Sequence, residues 1–293
     1  MSLEKKIDFT VFVGVHGANP NGDPLNGNRP RQTNDGFGEI SDVAIKRKIR
    51  NRLQDMGYKI FVQSADKTDD GYKSLKDRAD SIEELKKASK EKDADTYFKI
   101  ACKEWIDVRS FGQLFAFKKD EKQASGVSIG VRGPVSIQIA RSTDPIFINE
   151  MQIVKSVNST TSDKKTSDTM GMKYSIDFAI YKFSGSINVQ LAEKTGFSEE
   201  DAEAIHKALE TLFVNDESSA RPAGTMEVLR VYWWVHNTKL GQHSPAEMDR
   251  AVVVKNANYP NPPRSLNDIE FIDETPEDMK ANEQVFKGYQ QFA

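Results

Sequence analysis

From Ile7 to Val15 (IDFTVFVGV) an apolar side chain stands at every second position: Ile7, Phe9, Val11, Val13 and Val15. That alternation predicts a strand with a buried face. After Ser41 the period changes. Ile45, Ile49, Leu53 and Met56 follow at spacings of four, four and three, an apolar stripe on a helix over 42–56. Ser41 supplies its N-cap, Asp42 suits the positive end of the helix dipole, and Gly57 can end it in the left-handed conformation. YKIFVQ at 58–63 reads as a short second strand. From 67 to 103 the chain is highly charged, with Leu75, Ala79, Ile82 and Leu85 as its apolar positions. This predicts an amphipathic helix, with a second at 95–105. The mixed signs there read as a solvated face on an insertion.

VSIGVRGPVSIQIA at 127–140 alternates around Arg132, Gly133 and Pro134 and fits either a hairpin or two strand segments with a sharp break. Residues 146–157, 173–183 and 186–191 read as further strands. Ser198 opens a helix with an acidic first turn and Phe197 available as a staple. Ala202, Ile205, Leu209 and Leu212 form its buried stripe, and His206 beside it is structural. MEVLRVYWWVH at 226–236 is a strong strand that sends Trp233 and Trp234 to opposite faces, at least one into the core, the other open to a partner or a base. The main elements run β (7–15), α (42–56), β (58–63), further β, α (199–213), β (226–236). This is the β-α-β-β-α-β pattern of a ferredoxin-like or RNA-recognition-motif core with large insertions. No RNP1-like motif is present, so two aromatics under bases on the sheet are not indicated.

Between strand and helix lies HGANPNGDPLNGNRPRQTNDGFGE, 16–39, dense in residues that fix turns: Gly for positive φ, Pro for fixed φ, Asn and Asp for bonds to their own backbone. So long a loop is expected to be functional, and its amides suit anions. It carries Arg29 and Arg31 but neither GxxxxGK[ST] nor GxGxxG. Asp23 reads as a turn residue. On the helix that follows, Lys46, Arg47, Lys48, Arg50 and Arg52 put five positive charges into seven positions without a carboxylate. Such a run is either a solvated face bearing its own repulsion or a surface that a polyanion relieves.

The chain has 293 residues and 38% hydrophobic side chains, enough for one large core or two ordinary ones. The net charge of −3 makes the basic character local. Ten Lys or Arg and seven Asp or Glu occupy the first sixty residues, against three and seven from Arg264 onward, so a basic surface is separate from an acidic one. In an oligomer one can meet the other. Cys102, the sole cysteine, excludes an intrachain disulfide and a Cys-based zinc site, and reads as a small buried apolar group. No apolar run reaches the length of a membrane span and no signal peptide is visible, which points to the cytoplasm and away from membranes. HExxH, CxxC and GxSxG are missing, so no catalytic set, metal or cofactor is expected. His16, at the strand end, is the one candidate base for RNA cleavage, without an identifiable acid partner. Residues 158–169 (NSTTSDKKTSDT) lack any aliphatic or aromatic side chain between two β-rich stretches. They predict a projecting hairpin or finger. Met170 and Met172 close it, as a wedge between bases or as the first core residues of the next strand.

NPNGDP at 19–24, Pro30-Arg31 and SDVAIKRKIRNRL at 41–53 resemble the N-terminal signature of the multi-copy backbone subunit of type I CRISPR Cascade, the type I-C branch fitting best. DVRSFG at 107–112, VRGPVSIQIARSTDP at 131–145, TMGMK at 169–173, LAEKTGFSEEDAEAIHKAL at 191–209 and FVNDESSARPAG at 213–224 extend the resemblance, in order, over most of the chain. It implies a single α+β domain, 1–293, with a modified RNA-recognition-motif core, a helical insertion about 65–105 and a projecting β-hairpin thumb about 145–175. It implies a non-catalytic subunit that stacks with copies of itself along guide RNA, beside other type I-C Cascade subunits, while the guide pairs with a target DNA strand. Carried onto this chain, Lys46, Arg47, Arg50 and Arg31 would meet phosphates. Arg109 and Phe111 would lie near the guide or a neighbouring subunit. Asn19, Asn21, Arg132, Arg141, Lys173 and Arg221 complete the RNA-binding set, with Met170 and Met172 as wedge. The chain departs from the family pattern at Met172, where Arg is usual, and at Ser219–Gly224, where SAARG is usual. The alternative function is a metal-independent endoribonuclease acting on CRISPR repeat RNA with His16 as base; a third is a shell protein held by protein contacts alone.

Overall fold

The computed structural model describes residues 1–116, 128–154 and 170–288. In chain order these form β1 (Ile7–Ala18), β2 (Gly22–Asp23), β3 (Arg29–Pro30), β4 (Phe37–Ile40), α1 (Asp42–Asp55), α2 (Leu75–Asp80), α3 (Glu83–Glu91), α4 (Ala94–Glu104), α5 (Ile106–Phe111), β5 (Gln113–Phe115), β6 (Ile129–Val131), β7 (Val135–Ile137), β8 (Ala140–Pro145) and β9 (Ile148–Val154). There follow β10 (Met170–Ile187), α6 (Val189–Thr195), α7 (Glu199–Glu210), β11 (Met226–Val235), α8 (Pro245–Ala251), β12 (Val252–Asn256), β13 (Ile269–Asp273), α9 (Glu277–Lys280) and β14 (Glu283–Phe286).

The centre is a large antiparallel sheet in the order β14-β11-β1-β10-β8-β4, with β7 and β9 also paired to β10. β1 is buried on both faces because both are roofed. Its odd-numbered side chains, Phe9, Val11 and Val13, join Ile45, Ile49 and Leu53 of α1, Val189 and Ala192 of α6 and Ile205 and Leu209 of α7. On the other face Phe12 packs with Ile180, Leu229 and Trp234 under Met248 of α8, Val252 of β12 and Met279 of α9. A third cluster, Phe61, Leu85, Tyr97, Trp105 and Phe115 among its members, holds α2–α5 and β6 together as a helical satellite. The fold is therefore mixed α+β around one large antiparallel sheet.

Several expectations are met. The stripe on α1 is buried, and Ser41 caps it by accepting from Ala44 N at 3.3 Å. Ser198 and Asp201 form a reciprocal capping box on α7. His206 stacks on Trp233, ring centroids 4.4 Å apart. Trp233 and Trp234 do lie on opposite faces, but both are buried, because α8–α9 and β12–β13 cover the face that was left open for a partner.

Others are corrected. Residues 58–63 form no strand: Ile60 and Phe61 bury in two different clusters, and the Phe61 and Val62 amides donate to the Asp107 carboxylate at 2.7 and 3.0 Å. Return to the sheet after α1 waits for β7 and β8. The first helix expected within 67–103 is broken into α2, capped by Ser74, and α3, while the second, expected at 95–105, is α4, capped by Asp93. VRGP is the sharp break: β6 pairs with β5, β7 with β10. Strand 186–191 ends at Ile187, where Asn188 caps α6. The expected tip, 158–169, lies outside the described residues.

Candidate nucleic-acid interface

The loop after β1 is a built structure. β1 runs on to Ala18, so exposed His16 belongs to the strand, and its amide donates to Thr225 O at 2.8 Å. Asn19 is buried; its amide donates to Ala220 O at 2.9 Å and its Nδ2 to Asn28 O at 2.6 Å. Asn21 Oδ1 accepts from Ser41 N at 2.9 Å, fastening the loop to the start of α1. β2 and β3 pair, and Gly27 and Asn28 turn between them with φ of 57° and 62°. Asp23, in this turn, accepts from Leu25 N and lies 3.4 Å from Arg31 Nη2. Asn19 and Asn21 thus shape the loop with their side chains, while half-buried Arg31 stands at its mouth.

The basic helix does not carry its charge unopposed, as its local sequence suggests. Lys46 pairs with Asp42 at 3.0 Å. Arg47 donates to Val62 O at 2.5 Å, and burial beside Arg50 lowers its proton affinity. Lys48 is buried against Asp216, and burial pulls its pKa down to about 8 in spite of that carboxylate. Arg50 Nε lies 3.1 Å from Asp107 Oδ2, with its guanidinium over the Phe111 ring at 5.1 Å. Arg52 Nε donates to Thr211 Oγ1 at 2.7 Å. The repulsion is relieved by carboxylates, hydroxyl and carbonyl groups of the chain itself. Arg221 shares Asp216 with Lys48, Nε to Oδ2 being 3.3 Å. Loop 16–31, α1 and loop 213–225 are therefore one knitted platform.

Arg109 lies apart. It forms a bidentate pair with buried Asp201, at 2.8 and 2.7 Å, and donates to Cys102 O at 3.3 Å. It ties the satellite to α7. Burial pushes the Cys102 thiol up to about 12, as fits a core residue. Phe111 is half-buried under Arg50. Just beyond it Gly112, at φ 82°, and Gly133 pack backbone to backbone; a Cβ on either would overlap the other segment's carbonyl. This crossing sets exposed Arg132 beside the end of α5. Arg141 is exposed on β8, Nε 3.3 Å from Glu39 Oε1.

β9 and β10 pair from Ile148↔Ile176 out to Val154↔Met170, with β9 exposed along most of its length. Met170 and Met172 are 63% and 47% exposed, so neither enters the core, and Gln152 Nε2 approaches Met170 Sδ at 2.7 Å. Lys173 is exposed opposite Met151. Arg29 pins these arms to the loop by pairing with Glu150 and lying over Tyr174, 5.1 Å from its centroid. Asp23, Arg29, Arg31, Glu39 and Ile148 line a polar cleft of about 230 Å³ there. Arg29, marked in the sequence only as a loop cation, stands outside the RNA-binding set expected there. Asp107 and Arg109, which in sequence read as a pair or as facing a ligand, pair instead with Arg50 and Asp201, and the tie of Asp216 to Lys48 is missed by the sequence reading. The ties that organise the platform are not local, since Arg50, Arg109 and Lys48 lie 57, 92 and 168 residues from these acids; the nearby sequence marks only the Ser198–Asp201 capping box and the Asp216–Arg221 pair.

Residues 5–273 match the family described as CRISPR-associated protein Cas7. A CRISPR-associated protein Cas7 of Haloferax volcanii is 29% identical over 223 residues, 70% of this chain and 63% of that relative's length. Two solved chains overlap more loosely, each with 14% identity. One, from a CRISPR RNA-guided surveillance complex, pre-nicking, has a TM-score of 0.45 with 78% of this chain and 75% of that chain covered. The other, from a CRISPR RNA-guided surveillance complex, has a TM-score of 0.43, with 79% and 69% covered.

Proposed function

The chain belongs to the Cas7 family of CRISPR-associated proteins, and from that premise we propose that it is a non-catalytic backbone subunit of a type I-C Cascade, holding guide RNA by its phosphates without reading its sequence. The observation that carries this reading is the knitted platform of loop 16–31, α1 and loop 213–225. Both faces of the sheet are roofed, so an RNA strand must be held by loops, helix ends and strand extensions. The strand order β11-β1-β10-β8, antiparallel throughout, supports a ferredoxin-like core in which β7 and β8 stand where the second strand would be. The paired, exposed arms of β9 and β10 support a thumb, with Met170 and Met172 as wedge.

In this reading the side chains divide by burial. Arg31, Lys46, Arg132, Arg141 and Lys173 have enough exposure or only a surface partner, and meet phosphates directly. Arg221 exchanges part of its hold on Asp216 for a phosphate. Asn19, Asn21, Arg47, Arg50, Arg109 and Phe111 contribute by holding the platform and satellite in place. Base edges stay free for a target DNA strand, as one subunit must serve every guide. Neighbouring copies and other Cascade subunits complete the assembly.

The test is binding of unrelated single-stranded RNAs of equal length across a salt series. The proposal expects equal affinities, a log–log salt slope of roughly −0.7 per phosphate engaged, and RNA that stays intact. Affinities that follow sequence, or repeat RNA cut without metal and rescued from cutting by His16→Ala, would replace it with the nuclease reading.

A further inference from the structure

The groove between α4 and the α6–α7 junction holds about 660 Å³. Lys99, Lys103 and Lys194 line it, all exposed and without an ion pair among the described residues. Its carboxylates are already neutralised: Glu193 by Lys239, Glu200 by the Met1 ammonium, Asp201 by Arg109. The ammonium holds the Glu200 carboxyl down at about 2, so it stays charged and engaged. The groove is thus a trough with three lysines outside any ion pair among the described residues, of which Lys99 also lies in the field of Asp93.

On the far side of the sheet, β13 carries Glu270, the link after it Glu274 and the start of α9 Glu277, all exposed and without ion pairs among the described residues, with Lys255 of β12 opposite Glu270 in register. The neighbouring acids are spent, Asp273 and Glu283 on Lys280 and Asp278 on His243. β13 and α9 pack in the cluster around Phe12 and Trp234, whereas α6 and α7 pack in the cluster around Val11 and Trp233. Trough and ridge therefore face away from each other across the sheet and cannot meet within one molecule.

We propose that the occupant of the lysine trough is a second copy of this chain, which enters with its Glu270–Glu274–Glu277 ridge. The inference rests on the reading of the chain as a self-assembling backbone subunit and names the contact. Two complementary patches on opposite sides of one subunit make a head-to-tail interface, which propagates as a ring or an open filament and leaves a free trough at one end. Exposed charge pairs of this kind set orientation and register and are weakened by salt.

The test reverses each side: Lys99→Glu/Lys103→Glu/Lys194→Glu for the trough, Glu270→Lys/Glu274→Lys/Glu277→Lys for the ridge. Assembly is read by sedimentation with and without long single-stranded RNA. Affinity for an RNA too short to hold two copies is read separately. Each variant alone should lose assembly by about tenfold or more and keep its short-RNA affinity within about twofold. Mixed one to one they should co-assemble in alternation, since each trough then meets a ridge of opposite sign; that recovery also shows that both variants fold. Unchanged assembly for either variant, or a mixture no better than its parts, would overturn the contact. So would a trough variant that loses short-RNA affinity, which would make the trough an RNA surface. A wild-type chain that assembles but holds no RNA would leave the contact standing and remove the RNA-holding function instead.

Discussion

Arg50 Nε donates to Asp107 Oδ2 across 3.1 Å, from the basic helix to α5 of the satellite. Asp107 is 1% exposed and also accepts from the Phe61 and Val62 amides. One carboxylate thus replaces a strand as the partner of residues 61 and 62 and locks the satellite onto α1. Asp107→Ala leaves a half-buried guanidinium and two amides without their acceptor. The expected loss is about 3–5 kcal/mol of unfolding free energy, measured by denaturant titration. Asp107→Asn, which keeps a carbonyl acceptor, should lose less. A loss below about 1 kcal/mol would mean that water replaces the carboxylate.

The local signals are strong where contacts are local. The α1 stripe, the capped start of α7 and the alternation of β1 were legible because period and caps involve neighbours in the chain. YKIFVQ misleads for a physical reason: its β-rich composition reflects burial, and its amides go to Asp107, 45 and 46 residues away, instead of a strand. Four of the five cations of α1, Arg47, Lys48, Arg50 and Arg52, looked unopposed because their partners arrive from Val62, Asp216, Asp107 and Thr211, while Lys46 pairs one turn back with Asp42. Of the candidate site, the loop and helix were legible as a unit; which cation is exposed and which is a strut was not.

That division predicts two classes of variant. Lys46→Ala, Arg132→Ala and Lys173→Ala should each weaken RNA binding while flattening the log–log salt slope by about 0.7. Their unfolding midpoints should stay near wild type. Arg109→Ala should instead lose several kcal/mol of stability, about 3–5 by the usual cost of orphaning a buried partner, since Asp201 is 5% exposed. Equal stability across both classes would contradict the assignment.

Lys48 gives a pH signature. Burial lowers its folded pKa to about 8, from an ordinary 10.5. Between those values the unfolded chain holds a proton that the folded chain has released, so this residue makes stability rise with pH. Compared with Lys48→Met at each pH, wild type should gain unfolding free energy from pH 8 toward pH 10.5. A difference that stays flat or falls would show that Asp216 holds the ammonium charged.

His243 gives the opposite sign. Its Nδ1 lies 2.9 Å from Glu247 and its Nε2 2.9 Å from Asp278, joining α8 to α9. The bond to Asp278 raises the imidazole pKa above its ordinary 6.5, with Glu247 adding to it and slight burial opposing. The stabilisation is complete below 6.5 and is lost as pH rises through the higher folded value. Amide exchange in α9 should quicken across that window in wild type, after correction for the intrinsic rate, and not in His243→Gln. The same quickening in both would assign it elsewhere.

The most direct measurement of the central claim is the RNA that accompanies the protein. The chain is purified at moderate salt, alone and with its partner subunits, treated with nuclease, and the protected RNA is sized. The account predicts intact RNA of many sequences in a ladder of constant step, one step per subunit. Protein without RNA in both preparations, and unable to bind single-stranded RNA at low salt, would contradict it.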